Sequence, residues 1–120
     1  MDKKEEKIYD LEDRTAKLGE NVIVLCNSVK QDVVTKPIIS QLVRSATSVG
    51  ANYMEANGAC SRKDFKNKIY ICKKEIQETK HWLRMISMSV PAKKEEAIIL
   101  WKEAQELTLI FGKIISSLNH

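Results

Sequence analysis

Residues 61–88 read SRKDFKNKIYICKKEIQETKHWLRMISM, and this stretch decides the fold. Phe65, Ile69, Cys72, Ile76, Thr79, Leu83 and Ile86 recur at alternating spacings of four and three, a pattern that a helix gathers onto one face. Ser61 stands just before the run, where its hydroxyl can cap free N–H groups, and Asp64 lies near the positive end of the helix dipole. A second row runs through the same residues. Arg62, Lys66, Tyr70, Lys73, Gln77, Lys80 and Arg84 also repeat at four and three, so one helix carries an apolar face and a cationic one.

Breakers on either side divide the chain into four segments: Thr35-Lys36-Pro37, Asn57-Gly58-Ala59 and Ser89-Val90-Pro91. In the first segment Leu11, Thr15, Leu18, Val22, Leu25, Val29 and Val33 predict a helix over Tyr9 to Asp32. Pro37 suits the first turn of the second helix, with Thr35 or Lys36 at its boundary. That helix buries Ile39, Leu42, Ala46, Val49, Tyr53 and Ala56, and a left-handed Gly58 is expected to end it. The fourth helix follows Pro91 with Glu95 and Glu96 in its first turns and a core row of Leu100, Ala104, Leu107, Phe111, Ile114 and Leu118. Four helices of about 20 residues or more, joined by short connections, predict an all-α, antiparallel up-down-up-down four-helix bundle.

Composition agrees with this reading. With 120 residues the chain has room for one domain, since domains usually run to about 100 to 150 residues, and residues 1–8 read as a flexible charged N-terminus. Four glycines and two prolines argue against a loop-rich β-sandwich and against disorder. No uncharged apolar run reaches about 18 residues and no apolar stretch follows the charged N-terminus, so neither a membrane span nor a signal peptide is expected, and a cytoplasmic location fits. Cys26, Cys60 and Cys72 are odd in number and none are spaced as CxxC, which fits a reducing compartment better than a disulfide framework or a zinc site.

The fourth helix has more apolar residues than one subunit can bury. Ile98, Ile99, Trp101, Leu109, Ile110 and Ile115 lie beside its core row, and Trp82 and Met85 flank that of the third helix. Surplus of this size marks an interface, so a homo-oligomer is expected, with Ile99, Ile110, Trp82 and Trp101 in the contact.

Charge is concentrated in one place. Residues 61–88 hold eight basic and three acidic groups, a balance of +5 that exceeds the +4 of the whole chain. The cationic row of Arg62, Lys66, Tyr70, Lys73, Lys80 and Arg84 is the electrostatic footprint of a phosphate-backbone site, with Tyr70 able to stack on a base, or else a solvated helix face. On the second helix Gln41, Ser45, Ser48, Asn52 and Glu55 form a polar row among Ala46, Gly50 and Ala51. Serine and asparagine weaken a helix interior, so the row is expected to hydrogen-bond to a neighbouring helix or subunit, a ligand site being the alternative. Glu55, Glu75 and Glu78 read as structural partners for Arg44 or a lysine rather than as catalytic carboxylates.

Little else suggests chemistry. There are two histidines, one of them the last residue, and there is no HExxH, phosphate loop, GxGxxG or Ser-His-Asp arrangement. The Glu78-Thr79-Lys80-His81 run has the E-x-x-H form of di-iron bundles but lacks a second copy, and His81 lies about 200° round the helix from the core position Thr79. No metal, cofactor or enzymatic activity is expected.

The run Ser40-Gln41-Leu42-Val43-Arg44-Ser45-Ala46-Thr47-Ser48-Val49-Gly50-Ala51-Asn52-Tyr53-Met54-Glu55, followed by Ser61-Arg62-Lys63-Asp64-Phe65 and by Glu75 and Glu78 before Trp82-Leu83, resembles the four helix bundle proteins, also called 23S rRNA-intervening sequence proteins. The resemblance spans nearly the whole chain, with one departure: Ala56 stands where the family commonly has glycine. It implies an antiparallel bundle assembled as a ring-like homopentamer in bacteria, with some relatives encoded inside large-subunit rRNA genes. It also implies, from related bundles of retroelements, a basic surface that engages nucleic acid and a reverse transcriptase-like protein. The expected function is a non-enzymatic oligomeric bundle that binds RNA or DNA through the cationic row. The alternative is a protein-interaction scaffold with no nucleic-acid role.

Overall fold

The computed structural model describes residues 10–119, and the described residues form four α-helices. These are α1 (Leu11–Asn27), α2 (Thr35–Asn57), α3 (Arg62–Ser89) and α4 (Lys94–Leu118), with a 3-10 turn, Pro91–Lys93, leading into α4. At 1.5 Å per residue the 28 residues of α3 span about 42 Å, nearly the whole 45 Å length of the molecule. The order is up-down-up-down, and each helix packs chiefly on its neighbour in sequence, whereas α1 touches α4 only sparsely. The N-terminal segment 1–8, Tyr9 and His120 lie outside the described residues.

The core follows the apolar rows. Leu18, Val22, Leu42, Val49, Ile69, Ile76, Leu83, Leu107 and Phe111 are almost completely buried, and the ring of Tyr53 meets that of Phe111 at a centroid distance of 6.1 Å. Where α1 crosses α2, Gly19 and Gly50 let the backbones close up: a Cβ on Gly50 would stand 3.4 Å from the Thr15 carbonyl. Ser61 caps α3, its hydroxyl accepting from the Asp64 N–H at 3.0 Å.

Three local expectations are corrected. Helix α1 ends at Asn27 rather than Asp32 and has 17 residues, because two short polar side chains take over the backbone. Ser28 Oγ donates to the Leu25 carbonyl, while Asp32 Oδ1 accepts the N–H groups of Val34 and Thr35 and Thr35 Oγ1 accepts that of Asp32. These reciprocal bonds start α2, and the backbone bonds from Thr35 and Val34 hold the Asp32 carboxyl below its usual range. Val29 stays buried but Val33 is 90% exposed. Gly58 is not left-handed (φ −98°), because its N–H and that of Ala59 close 3-10-like bonds to Glu55 and Ala56. In the last turns of α4 the buried residue is Ile115, while Ile114 and Leu118 are half-buried.

Two thiols lie in the core, and Cys72 Sγ donates to the Val49 carbonyl. Burial pushes Cys26 from 9.0 up to about 11 and Cys72 up to about 12. Above pH 9 the unfolded chain releases these protons and the folded one keeps them, so stability falls as pH rises, by up to about 1.4 kcal/mol per pH unit for each thiol. Urea melts between pH 8 and 10.5 should show this decline, and Cys72→Ala should make it shallower; an equal slope in the variant would contradict the assignment.

Candidate nucleic-acid interface

The cationic row of α3 lies along the seam with α4. Lys80 Nζ donates to Gln105 Oε1 at 2.6 Å and stands 5.5 Å from the centre of the Trp101 ring. Arg84 shares a cleft with Ile98 and Trp101, Arg62 Nη2 donates to the Leu118 carbonyl at 2.8 Å, and Tyr70 Oη accepts from Asn119 Nδ2 at 3.4 Å. Arg62, Arg84 and Tyr70 are exposed, while Lys66, Lys73 and Lys80 are half-buried with their stems along the helix pair.

Carboxylates are turned away from this seam. Glu75 and Glu78, in the body of α3, face α2, and Glu103 and Glu106, in the body of α4, face α1. Each is matched there: Arg44 Nη1 donates to Glu75 at 2.8 Å and Nη2 to Glu78, and Arg14 bonds Glu103 at 2.7 Å and Glu106 at 3.2 Å. Consequently, among the described residues, Arg62, Lys66, Lys73, Lys80 and Arg84 have no carboxylate within 4.0 Å. Their field is directed outward, beside an indole and a phenol.

The polar row of α2 is only partly a cross-helix row. Arg44 reaches α3, Gln41 Oε1 braces it by accepting from its Nε at 2.9 Å, and Trp82 Nε1 contacts Glu78 at 3.5 Å. Hydrogen bonding to Glu75 raises the Arg44 guanidinium above its ordinary value, so this cation stays charged in the seam. Glu55 pairs with Lys68 at 3.1 Å at the surface. Asn52 and Ser48 do not cross: Asn52 Nδ2 donates to the Ser48 carbonyl and hydroxyl of its own helix, because the i, i+4 spacing brings those acceptors nearest. The member of the row that does cross in the core is Ser45, whose Oγ accepts from Thr79 Oγ1 at 3.0 Å, with Thr79 standing in the apolar row.

This seam sets the register of α2 against α3. It offers no nucleophile and base within reach of one another. His81 is exposed with its edge against Trp82, and Glu78 of the E-x-x-H run is held by Arg44. Among the described residues no group of three or more His, Cys, Asp or Glu side chains is placed to hold a metal ion, and no helix is long and apolar enough to cross a membrane.

Of the surplus apolar residues, Ile115 is buried and Trp82 and Ile110 pack against the core. Ile99 is 67% exposed, as are Leu109, Ile98 and Trp101 in lesser degree. Sequence reading missed Gln105 and Asn119, which meet the cationic row. Gln105 and Asn119 lie fourteen residues apart, as Lys66 and Lys80 do, and that matching interval is a signal only once the antiparallel register of α3 and α4 is known.

The family model of the 23S rRNA-intervening sequence protein matches residues 8–113. Among solved structures, the chain is similar to a protein of unknown function from the S23 ribosomal protein family of Bacteroides thetaiotaomicron VPI-5482, at 30% identity and a TM-score of 0.76 over 87% of this chain and 96% of that one. No curated protein matches.

Proposed function

The chain belongs to the 23S rRNA-intervening sequence protein family, and from that premise we propose that it is a non-enzymatic bundle that self-associates and binds RNA or another nucleic acid along the α3–α4 face. The observation that carries this reading is the separation of charge: five cations, Tyr70 and Trp101 share one face from which the body carboxylates of both helices are withdrawn. Phosphates meet this face without competition from an internal anion, and a base has two aromatic planes to stack on. Several copies in one assembly multiply a weak contact by avidity. The exposed Ile99 and Leu109 favour a second reading, a scaffold that binds protein through α4.

Anisotropy of a fluorescein-labelled single-stranded RNA, followed over a salt series, separates the two. Lys66→Ala, Lys73→Ala or Lys80→Ala should each weaken binding and lower the log-log salt slope by about 0.7 for each phosphate lost on a single strand. Tyr70→Ala should cost about 1–3 kcal/mol with little change of slope, because stacking releases no counterions. Lys17→Ala on α1 is the control. If the α1 and α3 lysines prove interchangeable, the attraction is only that of a basic protein and the scaffold reading stands.

A further inference from the structure

Gly112 sits in the interior of α4, where glycine weakens a helix relative to alanine. Gly19 and Gly50 are accounted for by the tight α1–α2 crossing, but a Cβ on Gly112 would meet nothing within 4 Å. Packing inside the subunit therefore does not call for a glycine there.

Its place on the seam is fixed by register. Lys80 bonds Gln105, and in an antiparallel pair two turns back along α3 and two turns on along α4 bring Lys73 opposite Gly112. Two turns further, Lys66 stands opposite Asn119, which bonds Tyr70 one turn away from Lys66 on the same helix. Along this row α4 thus carries a side-chain amide at both ends, Gln105 bonded to Lys80 and Asn119 to Tyr70, and no side chain in the middle. Lys73, half-buried beside that gap, has neither a hydrogen-bond acceptor nor a carboxylate partner among the described residues.

We infer that the Lys73–Gly112 gap seats one backbone phosphate of a nucleic-acid strand, Lys73 supplying the charge and Gly112 the room. The inference rests on the α3–α4 reading above and sharpens it: the phosphate takes the position that the Gln105 amide occupies beside Lys80. A helix-weakening residue with open space beside it and an unmatched ammonium opposite are together accounted for by an anion that enters from outside.

The test uses Gly112→Gln, which puts at Lys73 the acceptor that Gln105 provides at Lys80, and Gly112→Ala, which only adds a Cβ. With the same labelled RNA, Gly112→Gln should weaken binding and reduce the salt slope as much as Lys73→Ala, by about 0.7 per phosphate, and the double variant should lose no more than either alone. Gly112→Ala should melt at a higher temperature than the parent and yet bind less well. If Gly112→Gln keeps the parent's affinity and slope while Lys73→Ala, Lys66→Ala and Lys80→Ala lower both, the gap is overturned as a phosphate seat and the wider face stands. If none of these variants alters binding, both fail. If Gly112→Gln changes the mass of the assembly by light scattering and Lys73→Ala does not, the gap is a contact between subunits, and the inference is overturned.

Discussion

Leu107→Glu should leave no folded subunit, whereas Ile99→Glu on the same helix should leave the bundle intact and change only its assembly. Leu107 is completely buried in the core row of α4, and a carboxylate there would find no cation or donor in an apolar layer. The cost is several kcal/mol against a total stability of about 5–15 kcal/mol for a domain of this kind. Ile99 is 67% exposed, so a glutamate there keeps its water within the subunit and is expelled only from a contact with another copy. Circular dichroism should show lost helix and no cooperative melt for Leu107→Glu. Light scattering should give the parent a multiple of 13.7 kDa and Ile99→Glu a smaller one. A native-like melt from Leu107→Glu would contradict the core described above, and a parent that runs as a monomer at micromolar concentration would remove self-association.

Arg44→Ala is expected to have the next largest effect. The Glu75 side chain is only 8% exposed, and among the described residues its one cationic partner is Arg44, itself 46% exposed. Removing the guanidinium leaves Glu75 in the α2–α3 seam without a matching charge, with Glu78 beside it. Fully buried pairs lose about 3–5 kcal/mol when one member goes, but water reaches this one from the Arg44 side, so a cost of about 1–3 kcal/mol is expected. Adding Glu75→Gln to Arg44→Ala should recover part of it, because the uncompensated charge is gone while the shape is kept. Denaturant melts of the two single variants and the double variant measure the coupling directly. A coupling near zero would mean that the pair is screened like any surface ion pair.

Most of the fold was legible because helices leave a local record. The four-three spacing located α2, α3 and α4, and Ser61 was readable as a cap from its place before the row. What escaped was decided by competition among near neighbours. The end of α1 depends on Ser28 and Asp32 drawing the backbone into their own bonds, which an apolar spacing through Val29 and Val33 does not register. Ile115 and Ile114 are both apolar, and only the angle at which α4 lies on the bundle chooses between them.

The candidate site was half legible for a similar reason. The cations of α3 stand in one row of sequence, but that they face a row containing Trp101, Gln105, Gly112 and Asn119 follows from antiparallel register between residues dozens of positions apart. Asn52 shows the opposite error. Its row predicts a bond to a neighbouring helix or subunit, whereas within the subunit its own helix supplies nearer acceptors.

The order in which the helices touch also bears on how the chain folds. Because α1 packs on α2, α2 on α3 and α3 on α4, nearly every large interface joins segments separated by one short connection. Loop closure then costs little entropy, and low contact order of this kind goes with folding in about microseconds to milliseconds. The exception is the α1–α4 edge, which joins the two ends of the described chain and is bridged by Arg14 with Glu103 and Glu106. That edge is expected to close last and open first. In hydrogen exchange α1 should therefore be the least protected of the four helices, a first foldon to detach from a three-helix remainder.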